Sequence, residues 1–210
     1  MVVRTPHAVP LLGLVGFVCL LVLVVTGWGP LQRFDGAVSA AAREYGHRHP
    51  DLIAVLRVAT DVAATLPYLA IGAVLTLVFA LRRQRQRAMF CAAVTVMVPA
   101  LWGLLHWLVY RPRPQNGFVV VASNGFPSGH ASNAAAAGVA AVLLLWPVLT
   151  RTGRRVVVLL AAAFALFIAA TRVALLAHWP SDVVGGWLLA LTVVPLLAVA
   201  VDRWAPVGPR

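Results

Sequence analysis

Eight residues in two short stretches bring polar, ionisable chemistry into an otherwise apolar chain. They are Arg111, Arg113, Ser128, Gly129 and His130 in the first stretch, and Arg172, His178 and Asp182 in the second. Arginine presents a planar, multi-donor face that suits phosphate oxygens. Pro127-Ser128-Gly129-His130 can open a helix: Ser128 is a good N-cap, Gly129 lets the backbone approach a ligand, and the first-turn N–H groups make a ready anion site. Two histidines can divide nucleophilic and acid–base roles. In His178-Trp179-Pro180-Ser181-Asp182, Pro180 suits the first turn of a helix, so Asp182 can reach back to His178. A carboxylate on one ring nitrogen would orient the other for attack. Together these types suit phosphoryl transfer, which needs positioning and dispersed positive charge more than elaborate covalent chemistry.

The elements that must position them are membrane helices. The chain of 210 residues is 61% hydrophobic and 11% charged, with a mean hydropathy of +0.90, well beyond soluble domains. A net charge of +11 does not point to nucleic acid, because the basic residues form short clusters beside long apolar runs, as topology signals do. All 17 basic residues are arginines, a bias that fits a GC-rich bacterial genome. Cys19 and Cys91 both fall in apolar runs, so neither a disulfide framework nor a metal-ligand spacing is supported. With no long soluble stretch, a single domain over residues 1–210 is expected: a first helix and interfacial segment over 1–60, then a helical core over 61–201.

Six spans of about 20 apolar residues are expected. The first runs from Val9 to Trp28 and is ended by Gly29-Pro30. From Leu31 to Thr60, charges at helix-like spacing read as interfacial helices broken at His49-Pro50. His47 and His49 lack a third ligand and read as a solvated loop. The second span, Ala63–Leu81, is stopped by the arginine cluster 82–87. The third, Met89–Val109, leads into Tyr110-Arg111-Pro112-Arg113-Pro114, where alternating prolines forbid a continued helix. The fourth covers Asn133–Leu149 and is short unless it begins at Ser128, with Arg151, Arg154 and Arg155 capping its far end. The fifth, Val156–Leu176, carries Arg172 in its last turn, where a charge is expensive unless it faces a polar cavity. The sixth is Val183–Val201.

With the N-terminus inside, ten arginines fall on the cytoplasmic side (Arg4, Arg82, Arg83, Arg85, Arg87, Arg151, Arg154, Arg155, Arg203, Arg210) and seven outside, three of them the site candidates Arg111, Arg113 and Arg172. The positive-inside rule then puts both termini in the cytoplasm and both polar stretches on the extracytoplasmic face of the cell membrane.

These motifs resemble the type 2 phosphatidic acid phosphatase (PAP2) superfamily of membrane lipid phosphatases, which shares its site architecture with vanadium haloperoxidases. The family pattern Lys-x6-Arg-Pro, Pro-Ser-Gly-His and Ser-Arg-x5-His-x3-Asp recurs here in order. The second motif is intact as Pro127–His130. The third reads Thr171-Arg172, His178, Asp182, with threonine keeping the hydroxyl. The first fits Arg113-Pro114, but His106 stands where the family has lysine. His106 then either donates to phosphate when protonated, favouring mildly acid pH, or is a structural histidine at a helix end, with Arg111 supplying the charge.

The resemblance covers roughly residues 60 to 200 and implies an all-α polytopic fold with six transmembrane helices. It implies that His178 forms a phosphohistidine oriented by Asp182, and that His130 protonates the leaving alkoxide and later activates water. Arg113, Arg172, Ser128 and the Gly129 amide would hold the phosphoryl oxygens, although Ser128 also reads simply as a cap. No metal or other cofactor is implied. Asn116, Ser123, Asn124, Ser132 and Asn133 read more readily as loop and capping residues, and Trp102, Trp107, Trp179 and Trp187 as interface or packing aromatics. The expected partners are a lipid phosphate and the bilayer: polyprenyl diphosphate, phosphatidic acid or phosphatidylglycerol phosphate. Two other readings are a phosphotransferase with an acceptor other than water, and a lipid-phosphate binding protein that has lost turnover through the lysine-to-histidine change.

Overall fold

The computed structural model describes residues 7–204, so Arg4 and Arg210, which entered the charge count above, lie outside the described residues. Among these, all regular structure is helical: α1 (Ala8–Val25), α2 (Gly29–Arg48), α3 (Pro50–Ala59), a 3₁₀ turn (Thr60–Ala63), α4 (Thr65–Leu81), α5 (Arg85–Leu108), α6 (Gly129–Leu145), α7 (Arg151–Ala174) and α8 (Pro180–Trp204). Five segments are long and apolar enough to cross a membrane: α1, the run Pro50–Leu81, α5, α7 and α8; α6, with 17 residues, is a shorter apolar helix. Large apolar side chains stay exposed along these segments, such as Leu12, Val74, Val96 and Leu159, which is the pattern of a surface facing lipid.

Several boundaries differ from expectation for local reasons. α1 stops at Gly27, which takes φ +66, and the Trp28 N–H reaches back to the Leu23 carbonyl at 3.0 Å, a left-handed helix stop. Gly29-Pro30 therefore begins α2 rather than ending α1, since proline fits a first helical turn. Thr150 caps α7, its Oγ1 accepting the Gly153 N–H at 3.2 Å, so Arg151, Arg154 and Arg155 belong to the start of α7 and not to the end of α6. Ser128 caps α6, which lengthens that span toward the site. His47 and His49 sit at the C-terminal end of α2, against Phe118 and Tyr45 respectively, rather than in a loop.

The main core joins α5, α6 and α8 through Phe90, Val98, Ala136, Leu143, Ala190 and Val194. α8 approaches the start of α6 because Gly186 has no side chain: a Cβ there would lie 2.8 Å from the Ser128 carbonyl oxygen and 2.9 Å from the Ser132 nitrogen. α2 buries Asp35 and Ser39 and packs against α7 and α8, so it is a working part of the bundle and not only an interfacial helix. The end of α5, the start of α6, the end of α7 and the start of α8 gather at one end. Backbone bonds tie their loops: Phe118 N–H to Leu175 O at 3.0 Å, and Ser128 N–H to Asp182 O at 2.9 Å.

Candidate active site

The second and third motifs meet because Ser128 and Asp182 share that backbone bond. Ser128 is fully buried, and its Oγ accepts the Ala131 N–H at 3.5 Å, a long capping contact. The first-turn amides of Gly129 and His130 have no preceding helical carbonyl to bond, as at any helix start. Gly129 is closely packed: a Cβ would lie 3.1 Å from the Trp102 ring, which would have to give by a few tenths of an ångström. The Phe126-Pro127 peptide leading into this turn is cis.

His178 lies in the tight connection between α7 and α8 and is 2% exposed. Its Nδ1 is 2.8 Å from the Gly125 carbonyl oxygen and 3.5 Å from Asp182 Oδ2. Since a carbonyl only accepts, Nδ1 carries the proton. Nε2 is then the lone-pair nitrogen, and it accepts a hydrogen bond from Arg113 Nη1 at 2.8 Å. The direct orienting partner of His178 is thus the Gly125 carbonyl, with Asp182 behind it, where the spacing alone had suggested the carboxylate. Burial, reinforced by Arg113, Arg172 and His106, holds the imidazole well below its ordinary pKa, so the neutral ring is the resting form.

Arg113 is held along its whole guanidinium. Nη1 also donates to Ala177 O at 2.6 Å, Nε to Ser123 O at 2.8 Å, and Nη2 to Asn124 O at 2.9 Å. Its pKa is drawn down by burial, opposed by Asp182. Arg172, in the last turn of α7, is 5% exposed. Its Nη1 donates to Thr60 Oγ1 at 3.3 Å, and its Nε has no hydrogen-bond partner. His130 is half-buried and lies within electrostatic reach of Arg172, His178 and Arg113.

Two predicted phosphate ligands are turned elsewhere. Arg111 lies 2.6 Å from Asp35 Oδ2 through Nη2 and 2.7 Å from Asp182 Oδ1 through Nη1, and it donates to Ser181 Oγ at 2.7 Å. Its guanidinium thus lies between the carboxylates of Asp35 and Asp182. His106 Nε2 lies 2.7 Å from the Pro127 carbonyl oxygen and must donate to it, which uses that nitrogen to steady the turn before Ser128. Asn124 supports the same region, its Nδ2 donating to His106 O at 2.8 Å, and Ser123 Oγ accepts from Arg113 Nη2 at 3.1 Å. Asn133 bonds Trp102 Nε1 and the Ala63 carbonyl, and Ser132 bonds back to Ser128 O; both are structural. Sequence reasoning missed Asp35 and Thr60, whose partners lie far along the chain.

The fold and site define a polytopic helical membrane protein with arginines and histidines converging at one end of its bundle. Residues 107–205 match the family model of the PAP2 superfamily, which together with the structural likeness below supports assignment of the chain to that superfamily. A crystal structure of a transmembrane PAP2-type phosphatidylglycerolphosphate phosphatase from Bacillus subtilis matches it with a TM-score of 0.80 and 25% sequence identity, covering 96% of this chain and 99% of the other. No curated protein matches the chain. The matched family segment contains Arg111 through Asp182 but neither His106 nor Asp35.

Proposed function

We propose that this protein is a lipid phosphatase that hydrolyses a lipid phosphomonoester or diphosphate through a phosphohistidine on His178 Nε2. The observation that carries this is the ring's polarity: Nδ1–H is committed to Gly125, while the Nε2 lone pair faces Arg113. The incoming phosphoryl group exchanges the Arg113–Nε2 hydrogen bond for one from Arg113 to an oxygen of its own. Arg172 adds its spare donors, and the Ser128–Gly129 turn adds amides. As the Nε2–P bond forms, the bond from phosphorus to the leaving oxygen breaks, and that oxygen takes a proton from His130, whose ring gains it when the phosphate anion offsets Arg172 and Arg113. His130 then takes a proton from water, whose oxygen attacks phosphorus, and the P–N bond breaks to release phosphate. Asp182 balances the charge that His178 acquires. Each role matches ordinary phosphoryl-transfer requirements.

A substrate whose head group sits at the interface and whose tails stay in lipid suits a site at the end of a bundle with short loops. Phosphatidylglycerol phosphate, phosphatidic acid and polyprenyl diphosphate all fit. The likeness to the Bacillus subtilis phosphatidylglycerolphosphate phosphatase makes the first of these the leading candidate. The arginine clusters at Arg82–Arg87 and Arg151–Arg155 support a cytoplasmic position for the opposite end, and so an extracytoplasmic site. The test is phosphate release by the purified protein from a panel of these three lipids in detergent. Release from at least one is expected, with label found only in phosphate. Label passing to an added alcohol instead of water would favour a phosphotransferase, and no release from any would favour a binding protein.

The tautomer makes a separate prediction. Because the folded pKa of His178 lies below its ordinary value, protonation of the ring is deferred to more acid pH than for a free imidazole near 6.5. Nitrogen-15 histidine spectra in micelles should therefore show His178 neutral, with the proton on Nδ1, as pH falls from about 7 through about 6. Titration with a midpoint at the free-imidazole value would contradict the site as read here.

A further inference from the structure

Asp35 stands outside the matched family segment, in a helix read from sequence as a surface element, yet it is 2% exposed. A buried carboxylate is costly unless charged and hydrogen-bonded partners meet it. Here three groups do so. Arg111 Nη2 lies 2.6 Å from Oδ2, the Ser181 N–H donates to Oδ1 at 3.0 Å, and the Ser181 hydroxyl bonds Oδ2. Ser181 is the residue before Asp182, so Asp35 grips the first turn of α8 through its backbone and through the arginine that pairs Asp182. Arg111 is fixed from a third side by the Phe126 ring, 5.8 Å from its guanidinium carbon.

We propose that Asp35 is a positioning residue for the phosphoryl-transfer step, holding Arg111 and the start of α8 so that Asp182 keeps its place behind His178. This rests on the reading of His178 as nucleophile given above. The sharing of Arg111 explains the need. One guanidinium lies between two carboxylates, so Asp35 fixes the group that in turn flanks Asp182. With Asp35 neutral, Arg111 would lose one of its two anchors, and Asp182, 3.5 Å from His178 Nδ1, would lose the fixed neighbour that holds it there. The phosphate-holding groups Arg113 and Arg172 make no contact with Asp35, so substrate binding should be spared.

The test is Asp35→Asn in the full chain in detergent micelles, with phosphatidylglycerol phosphate as substrate and His178→Ala measured beside it. We expect kcat and the rate of labelled phosphoenzyme formation to fall about 10- to 100-fold. KM and inhibition by inorganic phosphate should stay within about twofold of wild type, since uniform binding is untouched. A purely structural role would instead lower the thermal transition and weaken phosphate inhibition together, and that result, or a wild-type kcat, overturns the proposal. If Asp35→Asn does not accumulate as folded protein, Ser181→Ala takes its place. It should slow kcat at unchanged KM, and wild-type kcat there also overturns the proposal. Turnover retained by His178→Ala would sink the nucleophile reading itself, whereas an inactive His178→Ala beside a fully active Asp35→Asn would sink only the role of Asp35.

Discussion

His178→Ala is expected to abolish phosphate release and labelled phosphoenzyme, a loss of at least about 10³-fold, because no other nucleophile stands in for the imidazole. The fold should survive. His178 sits in a connection whose backbone is held independently: its own N–H and that of Ala177 both reach the Arg172 carbonyl, at 3.3 and 3.0 Å. Truncation leaves the Gly125 carbonyl and one Arg113 hydrogen without a partner, each costing about 1–3 kcal/mol at most if water cannot enter. The thermal transition should therefore fall modestly while turnover vanishes. Phosphate release by the variant at an undiminished rate would remove His178 from the mechanism and leave the arginines as a binding site only.

Arg172→Ala carries the second large expectation, and its logic is the reverse of an ordinary buried arginine. Most buried guanidinium groups are paired, and removing them strands a carboxylate. Among the described residues Arg172 donates to the Thr60 hydroxyl, its Nε is unpartnered and Asp61 acts on it through charge alone, so no buried carboxylate is hydrogen-bonded to it in the resting protein. On the proposed function, those spare donors serve the phosphate anion. The variant should lose about 10²- to 10³-fold in kcat/KM, the cost of deleting a preorganised donor to developing charge, and inhibition by inorganic phosphate should weaken in parallel. The thermal transition should change little. A variant that melts early but retains phosphate inhibition would mean that Arg172 serves the packing of α7. Arg111 makes the contrast plain: its loss would leave Asp35 and Asp182 buried without a cation, so its first effect is on the fold.

Most of the architecture was legible from local composition. Apolar length marked the spans, the prolines after Arg111 marked the loop, and Pro127–His130 with Arg172, His178 and Asp182 marked the site by residue type and spacing alone. The errors at Gly29-Pro30 and at Arg151–Arg155 arose where one punctuation signal serves two helices. Gly27 in a left-handed conformation had already ended α1, and the Thr150 cap had already started α7. Local sequence does not say which of two adjacent helices a signal belongs to.

Residue partners were a different matter. Arg111 looked equivalent to Arg113, two positions away, yet one holds buried carboxylates and the other faces the His178 lone pair. His106 looked like a replacement for a phosphate-binding lysine and instead donates to a backbone carbonyl. Asp35 looked like one of several scattered surface charges. What distinguishes these is contact across 146 residues from Asp35 to Ser181 and 112 from Arg172 to Thr60. The chain by itself determined a helical membrane protein with phosphate-handling chemistry, because hydropathy and side-chain type are local properties. Which arginine lies beside the His178 lone pair and which meets a carboxylate was decided only by tertiary structure, because a guanidinium pairs with whichever acceptor the packing of distant helices brings within reach.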